Sequence, residues 1–259
     1  MLLEHVLARP RAWLLAHDTD PLEDAAVQAF HALVQRRLAG EPMAYLVATR
    51  EFMGHAFRVG PDVLIPRPDT EVLVETAIAC LQAGGPAPRV LDMGTGSGAI
   101  AISLALAVPR AQVWALDNSP AALAVAQDNA RRLQADVRFI ESDWFAALPA
   151  SARFDLIVSN PPYIAVDDPH LQTGDVRFEP RQALTDGSDG LSAIRILAGQ
   201  ASRVLSAAGQ LWIEHGWQQA AAVRGLLVAA GFAQVQSRHD LSGIERITGG
   251  ELPGRATSL

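Results

Sequence analysis

A chain of 259 residues is long enough for one large α/β unit with a smaller appendage, and its formal charge of −7 argues against a broad phosphate-binding face. All of its Lys+Arg positions are arginine, which removes Schiff-base and lysine-nucleophile chemistry, and its histidines include no pair at metal-ligand spacing, so no metal site is expected. No apolar run approaches the roughly twenty residues that cross a membrane, the amino terminus lacks a basic stretch followed by an apolar core, and the lone Cys80 suits a reducing compartment; a cytoplasmic location is expected.

Met1 to His17 has helical spacing interrupted at Pro10. Asp20, Pro21 and Glu23 read as the cap, first-turn proline and early acid of a second helix that runs to about Leu38 and stops at Gly40. Between Glu41 and Ile65, Tyr45, Leu46, Val47, Phe52, Phe57, Val59 and Val63 are broken by Gly54 and Gly60, a β-hairpin pattern. Pro66, Arg67 and Pro68 make a rigid approach to a helix over Val72–Leu81, capped by Asp69 or Thr70. The expected organisation is a helical unit over residues 1–40 that recognises a substrate, a connecting hairpin and linker over 41–68, and a catalytic unit over 69–259.

From Arg89 onward strands and helices alternate. Strands are expected at Val90–Met93, Val113–Leu116, Val137–Ile140, Phe154–Val158, Gln210–Ile213 and Ala233–Ser237, and helices at Ile100–Ala107, Ala121–Leu133, Leu191–Leu205 and Trp217–Ala230. This alternation implies a mostly parallel, doubly wound α/β sheet, whose ligands bind at the carboxyl ends of the strands.

The strand ends carry the chemistry. After the first strand come Gly94, Thr95, Gly96, Ser97 and Gly98, where missing side chains let backbone approach a ligand; the next strand ends in Asp117, an acceptor for ribose hydroxyls. The loop and the acid fit a nicotinamide dinucleotide as well as S-adenosylmethionine. Asp143 and Trp144 offer a carboxylate for an exocyclic amine and an indole face for adenine, or else a capped turn with a core tryptophan. The fourth strand runs into Asn160, Pro161, Pro162 and Tyr163. The prolines stiffen the segment, the Asn160 side chain and the backbone carbonyls accept hydrogen bonds, and Tyr163 supplies a flat face, so the segment suits a planar group bearing NH2; a plain turn is the competing reading.

Together these strand-end motifs make the chain resemble a class I S-adenosylmethionine-dependent methyltransferase, with a Rossmann-like, mostly parallel seven-stranded sheet and a small N-terminal helical domain. More closely it resembles the HemK/PrmC family of peptide chain release factor glutamine N5-methyltransferases. That likeness is carried by Leu64 to Glu71, Gly94 to Gly98, Asn160 to Tyr163, Gly174 to Pro180, Glu214 to Trp217 and Asp240 to Gly243, with Ala48 standing where the family pattern has glycine. The resemblance implies S-adenosylmethionine as cofactor, held by Gly94, Thr95, Gly96, Ser97, Gly98, Asp117, Asp143, Trp144 and Asn160. It implies Asn160, Pro161 and Tyr163 as catalytic, with Pro162 completing the substrate-binding segment. The implied substrate is the glutamine of the Gly-Gly-Gln motif of release factors, with no metal, and with modulation of translation termination as the outcome. An enzyme methylating the exocyclic amine of adenine in nucleic acid is the alternative, against which the acidic balance weighs. The sequence leaves Arg67 open between pointing into the site and solvated surface, and it gives no role to Glu179.

Overall fold

The computed structural model describes residues 1–254, so positions 255–259 of the expected catalytic unit lie outside the description. The chain starts with helices α1 (Leu2–Leu7), α2 (Arg11–Ala16) and α3 (Asp24–Leu38), none of which fully buries a residue. Helix α3 starts later than the Asp20 signal predicted. The Asp20 amide closes the preceding turn by donating to the His17 carbonyl at 3.2 Å, and Glu23 is the N-cap, with no side-chain capping bond.

The region expected to be wholly hairpin begins with a helical turn, α4 (Met43–Leu46), because Pro42 occupies its N-cap, where a missing N–H costs nothing. Tyr45 and Leu46 are buried there, and the Tyr45 hydroxyl donates to the Val63 carbonyl at 2.8 Å. The hairpin proper is shorter, β1 (Thr49–Phe52) against β2 (His55–Arg58), turning through Met53 and Gly54 at φ 51° and 77° as a two-residue turn of the primed type requires. A single 3₁₀ turn, Pro68–Thr70, leads into α5 (Glu71–Ala83). Thr70 is the N-cap of α5 by position, yet neither it nor Asp69 makes the predicted capping bond; the Thr70 hydroxyl is engaged by Asn160 instead.

The main sheet follows: β3 (Arg89–Met93), α6 (Ala99–Ala107), β4 (Gln112–Asp117), α7 (Pro120–Leu133), β5 (Val137–Glu141), β6 (Phe154–Ser159), α8 (Arg181–Leu184), α9 (Ser192–Gln200), β7 (Leu205–Glu214), α10 (Ala220–Ala229), β8 (Ala233–His239) and β9 (Glu245–Glu251). Helix α9 ends sooner than its apolar pattern predicted, since Leu205 is drawn into β7 by pairing with Phe154 of β6. The strand order is β5-β4-β3-β6-β7-β9-β8, parallel from β5 through β7 and antiparallel at the β7/β9 and β9/β8 edges. Strand β9 is the seventh, absent from the sequence pattern because its centre, Thr248, Gly249 and Gly250, is not apolar. Glycine is forced at 249, where a Cβ would sit 2.2 Å from the Trp212 ring.

Apolar residues cover both faces of the sheet. Leu73, Ala77, Ile102 and Leu104 from α5 and α6 pack with Val90 and Val158 on one side, and Ile194, Leu197, Val223 and Leu227 from α9 and α10 pack with Leu91 and Ile157 on the other. The hairpin belongs to the first layer through fully buried Phe52 and Phe57, edge to face at 6.2 Å. Chain direction around the sheet reverses between β3 and β6, so the loops leaving these strands part and open a crevice.

Candidate active site

That crevice is a cavity with about 1040 Å³ of open space. Its wall collects Gly94, Thr95, Gly96 and Ser97 after β3, Asp117 at the end of β4, Trp144 after β5, and Asn160 and Pro162 after β6. Four successive strand ends therefore meet at one ligand-sized space, as the parallel topology requires.

The glycine end is built from backbone. Gly94, Gly96 and Gly98 have φ of 75°, 54° and 82°, a region that side chains other than glycine's rarely adopt. A Cβ on Gly94 or Gly96 would meet nothing within 4 Å, so these two glycines leave open space above the loop; one on Gly98 would sit 2.8 Å from Ile102 Cδ1 and 3.2 Å from Ala126 Cβ, where α6 and α7 approach. Asp117 holds the loop: Oδ2 accepts the Gly96 N–H at 2.8 Å and Oδ1 the Ser119 N–H at 2.9 Å, leaving lone pairs on both oxygens for a ligand. Burial raises the Asp117 carboxyl above its ordinary range, against the lowering effect of those amides.

Two residues at this end escaped the sequence reading. Asp92, fully buried at the end of β3, accepts from Thr95 Oγ1 at 2.7 Å and the Ala101 N–H at 3.2 Å through Oδ2, while Oδ1 has no hydrogen-bond partner. Burial pushes its carboxyl up to about 7. Its signal was a carboxylate inside an otherwise apolar strand. Asn129 of α7 is fully buried and clamps the hairpin to the glycine loop, with Nδ2 donating to the Arg58 carbonyl at 3.0 Å and to the Ser97 carbonyl at 2.9 Å, and Oδ1 accepting the Arg58 N–H at 2.7 Å. No local pattern marks an asparagine for such a task.

The loop after β5 splits the predicted pair. Trp144 lies on the cavity wall, held at φ 47° by the Ser142 hydroxyl, which donates to the Trp144 carbonyl at 2.7 Å; Asp143 is exposed and off the wall.

At the opposite end, Asn160 Nδ2 donates to Thr70 Oγ1 at 3.1 Å, which leaves Oδ1 as an uncommitted acceptor on a residue of the wall. Pro161 is buried off the wall, Pro162 is on it, and Tyr163 is partly buried with its hydroxyl donating to Glu214 Oε1 at 3.3 Å and its carbonyl accepting from Gln219 Nε2 at 3.0 Å. Glu214 is buried at the end of β7, and burial pushes its carboxyl up to about 7 although Thr70, Arg246 and Tyr163 favour its ionised form. Arg67, also on the wall, forms an ion pair with Glu179, whose side chain has no solvent exposure and whose Oε2 accepts the Ile65 N–H at 3.0 Å. Arg67 and Glu179 thus pin the proline-flanked approach to α5 against the loop ahead of α8.

Among the described residues, no group of His, Cys, Asp or Glu has the grouping of a metal site, and no helix is long and apolar enough to cross a membrane.

Residues 1–47 match the PrmC N-terminal domain and residues 69–179 the methyltransferase small domain. The release factor glutamine methyltransferase of Bordetella pertussis (strain Tohama I) is 64% identical over 252 residues, 97% of this chain and 93% of that protein. The chain belongs to the release factor glutamine methyltransferase family. A second family member, from Burkholderia pseudomallei (strain K96243), is 55% identical over 98% of this chain and 91% of its own length. A methyltransferase from Pyrococcus furiosus has a TM-score of 0.59 at 17% identity, covering 85% of this chain and 98% of that one, a likeness of fold. The glycine loop, the Asn160 segment and the Pro66–Glu71 segment all border the same cavity.

Proposed function

We propose that this enzyme transfers a methyl group from S-adenosylmethionine to the side-chain amide nitrogen of the glutamine in the Gly-Gly-Gln motif of peptide chain release factors. The names of its family members support the substrate, and the observation that carries the chemistry is the Asn160 carboxamide, which is tied through its nitrogen and leaves its oxygen free beside the cavity.

The residues present fit the cofactor. The partnerless, buried Asp92 Oδ1 beside the loop suits a cationic ligand nearby, Gly94 and Gly96 keep space open, Asp117 has lone pairs for ribose hydroxyls, and Trp144 offers a face for adenine. When bound, S-adenosylmethionine supplies an electrophilic methyl group on a sulfonium.

An amide nitrogen is a weak nucleophile because its lone pair is delocalised into the carbonyl. Asn160 Oδ1 accepts one of its N–H bonds from the wall, which favours pyramidal nitrogen, and the two prolines keep that acceptor stiff. For the Pro161 carbonyl to accept the other and the Tyr163 ring to pack on the amide plane, the glutamine must reach past the wall residues, since neither Pro161 nor Tyr163 lines the cavity. No strong base is required, since the proton leaves after transfer. Glutamine flanked by glycines enters a walled crevice with little steric hindrance.

The test incubates the protein with labelled S-adenosylmethionine and either intact release factor, its variant with the Gly-Gly-Gln glutamine changed to alanine, or total DNA and ribosomal RNA. Label is expected in the release factor alone. Label in nucleic acid with release factor unmodified, or label persisting in the alanine variant, overturns the assignment.

A further inference from the structure

Four segments of the sequence converge behind Asn160: the Pro66–Glu71 approach, the Asn160–Tyr163 loop, the end of β7, and the Asp240–Gly243 turn with Arg246. The catalytic reading uses only the second. The other three form a polar layer beneath it in which every contact bears on one question, namely which atom of the Asn160 carboxamide faces the substrate.

Thr70 Oγ1 accepts from Asn160 Nδ2 at 3.1 Å. A hydroxyl has one proton to donate, and if it donated to Asn160 the carboxamide would turn its oxygen inward and show NH2 to the cavity. A substrate NH2 would then face another donor. The proton must therefore go elsewhere, and buried Glu214 is the acceptor at hand: its Oε2 has no hydrogen-bond partner, and Thr70 favours its ionised form more than any other group does. The Tyr163 hydroxyl donates to Oε1 of the same carboxylate at 3.3 Å, so Glu214 orders both residues expected to touch the substrate amide. We propose that Thr70 and Glu214 are positioning residues that fix the Asn160 carboxamide with its oxygen toward the cavity.

The charged and titratable groups facing Glu214 come from three directions. Tyr163 belongs to its own site loop, Arg246 to β9, and Asp69 to the 3₁₀ turn. Arg246 is held by Asp240 Oδ2, which accepts from Nε at 3.2 Å and Nη2 at 3.1 Å, and it reaches Asp69 at 3.2 Å. Asp240 in turn accepts the Ser242 and Ile244 amides at 2.9 and 3.0 Å, so a turn at the far end of the chain holds the guanidinium in place. A guanidinium held this firmly favours the ionised Glu214 that the Thr70 proton needs.

This inference rests on the amide-methylation reading, so its experiment has one arm that needs no substrate. The first arm measures turnover of release factor by Thr70→Val, which keeps the shape and loses the hydroxyl, and by Thr70→Ser, which restores it. Turnover in Thr70→Val is expected to fall roughly ten- to a hundredfold with cofactor Kd within about twofold of wild type, and Thr70→Ser to recover most of the loss. Normal turnover in Thr70→Val, or equal impairment of both variants together with cofactor binding, overturns the proposal. The second arm follows the side-chain NH2 signals of Asn160 by NMR in the free protein, identified by their absence in Asn160→Ala. These signals are expected to shift as Glu214 ionises and to lose that titration in Thr70→Val and in Glu214→Gln. Signals that titrate identically in all three proteins refute the relay even if no release factor is methylated, whereas failure of wild type to methylate release factor with the titration intact refutes only the substrate reading.

Discussion

The two ends of the cavity are made of different material. At the glycine end the ligand-facing surface is backbone, shaped by three left-handed glycines and held by carboxylate and carboxamide groups, Asp117 and Asn129, from neighbouring elements. At the Asn160 end it is side chain, and the carboxamide is oriented by a residue 90 positions earlier in the chain. A backbone end holds a constant ligand through geometry that few substitutions can imitate. A side-chain end sets which atom of a substrate is approached, and a single hydrogen bond can invert it. The difference predicts that damage to one end weakens binding and damage to the other weakens turnover.

The largest effect is expected at the side-chain end. Asn160→Ala removes the oriented acceptor and should lower turnover by roughly two to three orders of magnitude at saturating cofactor, as the loss of a preorganised polar group at a reacting centre does. Folding should survive, because Pro161 and Pro162 still stiffen the loop. Steady-state kinetics beside a melting curve checks this; a variant with near-normal turnover but weak cofactor binding would exchange the roles of the two ends.

Next in size is Asp117→Ala, which deprives the ribose hydroxyls of a charged acceptor and also frees the Gly96 N–H from its 2.8 Å bond. Cofactor affinity should fall by about 1.5 to 3 kcal/mol, roughly ten- to a hundredfold or more, in calorimetric titration. Turnover at saturating cofactor should change far less. An affinity equal to wild type would take Asp117 out of the cofactor site.

A third expectation concerns Asp92, whose carboxyl is raised by burial from an ordinary 3.8 to about 7. The folded state holds its proton more tightly than the unfolded chain, so ionisation disfavours folding: its contribution to stability is greatest below about pH 4, declines through the window up to about pH 7, and is level above it. The melting temperature of the free protein should therefore fall across that window, by about 2 to 4 °C for each kcal/mol of penalty, and Asp92→Asn should flatten the fall. Glu214 acts in the same direction, which leaves a residual slope in that variant. Saturating cofactor should shrink the slope if its cationic portion lies against Asp92 Oδ1.

The contrast between the two ends also governs what could be read from the chain alone. The glycine loop, Asp117 and the Asn160–Tyr163 segment were legible because each is a local event, a strand that ends and a turn with a special residue. Five strands of the sheet were legible because they are apolar runs, and β8 because it follows α10 in the alternation of strands and helices. Strand β9 was not, since Thr248 and two glycines fill its centre and its place is set by pairing with β7 and β8. Asp92 and Asn129 were missed, and Glu214 was named only within a segment of resemblance, because their meaning depends on what is packed around them. Asp143 shows the reverse case: its neighbour Trp144 is turned onto the wall by a positive φ while Asp143 is left exposed, a division no alternation rule foretells. The Thr70 hydroxyl looked like a helix cap and serves the site instead.

The smallest effect is expected at Ala48, whose left-handed backbone conformation favours glycine. Ala48 joins α4 to β1 at φ 55°, and its carbonyl accepts the Val59 N–H at 3.3 Å, so the left-handed turn is locked by the exit of the hairpin. A left-handed non-glycine residue is disfavoured by about 1 to 2 kcal/mol, while glycine forfeits about 0.5 to 1 kcal/mol through the greater freedom of its unfolded chain. Ala48→Gly should therefore stabilise the protein by about 0.5 to 1 kcal/mol, which at this size raises the melting temperature by roughly 2 to 4 °C at most. Neither end of the cavity includes Ala48 in its wall, so cofactor affinity and turnover should both stay within error of wild type. The connection nonetheless leads into Phe52, which lines the cavity from the hairpin. A change in cofactor affinity without a change in stability would mean that the strain at Ala48 sets the position of Phe52 and that the hairpin belongs to the binding end of the site.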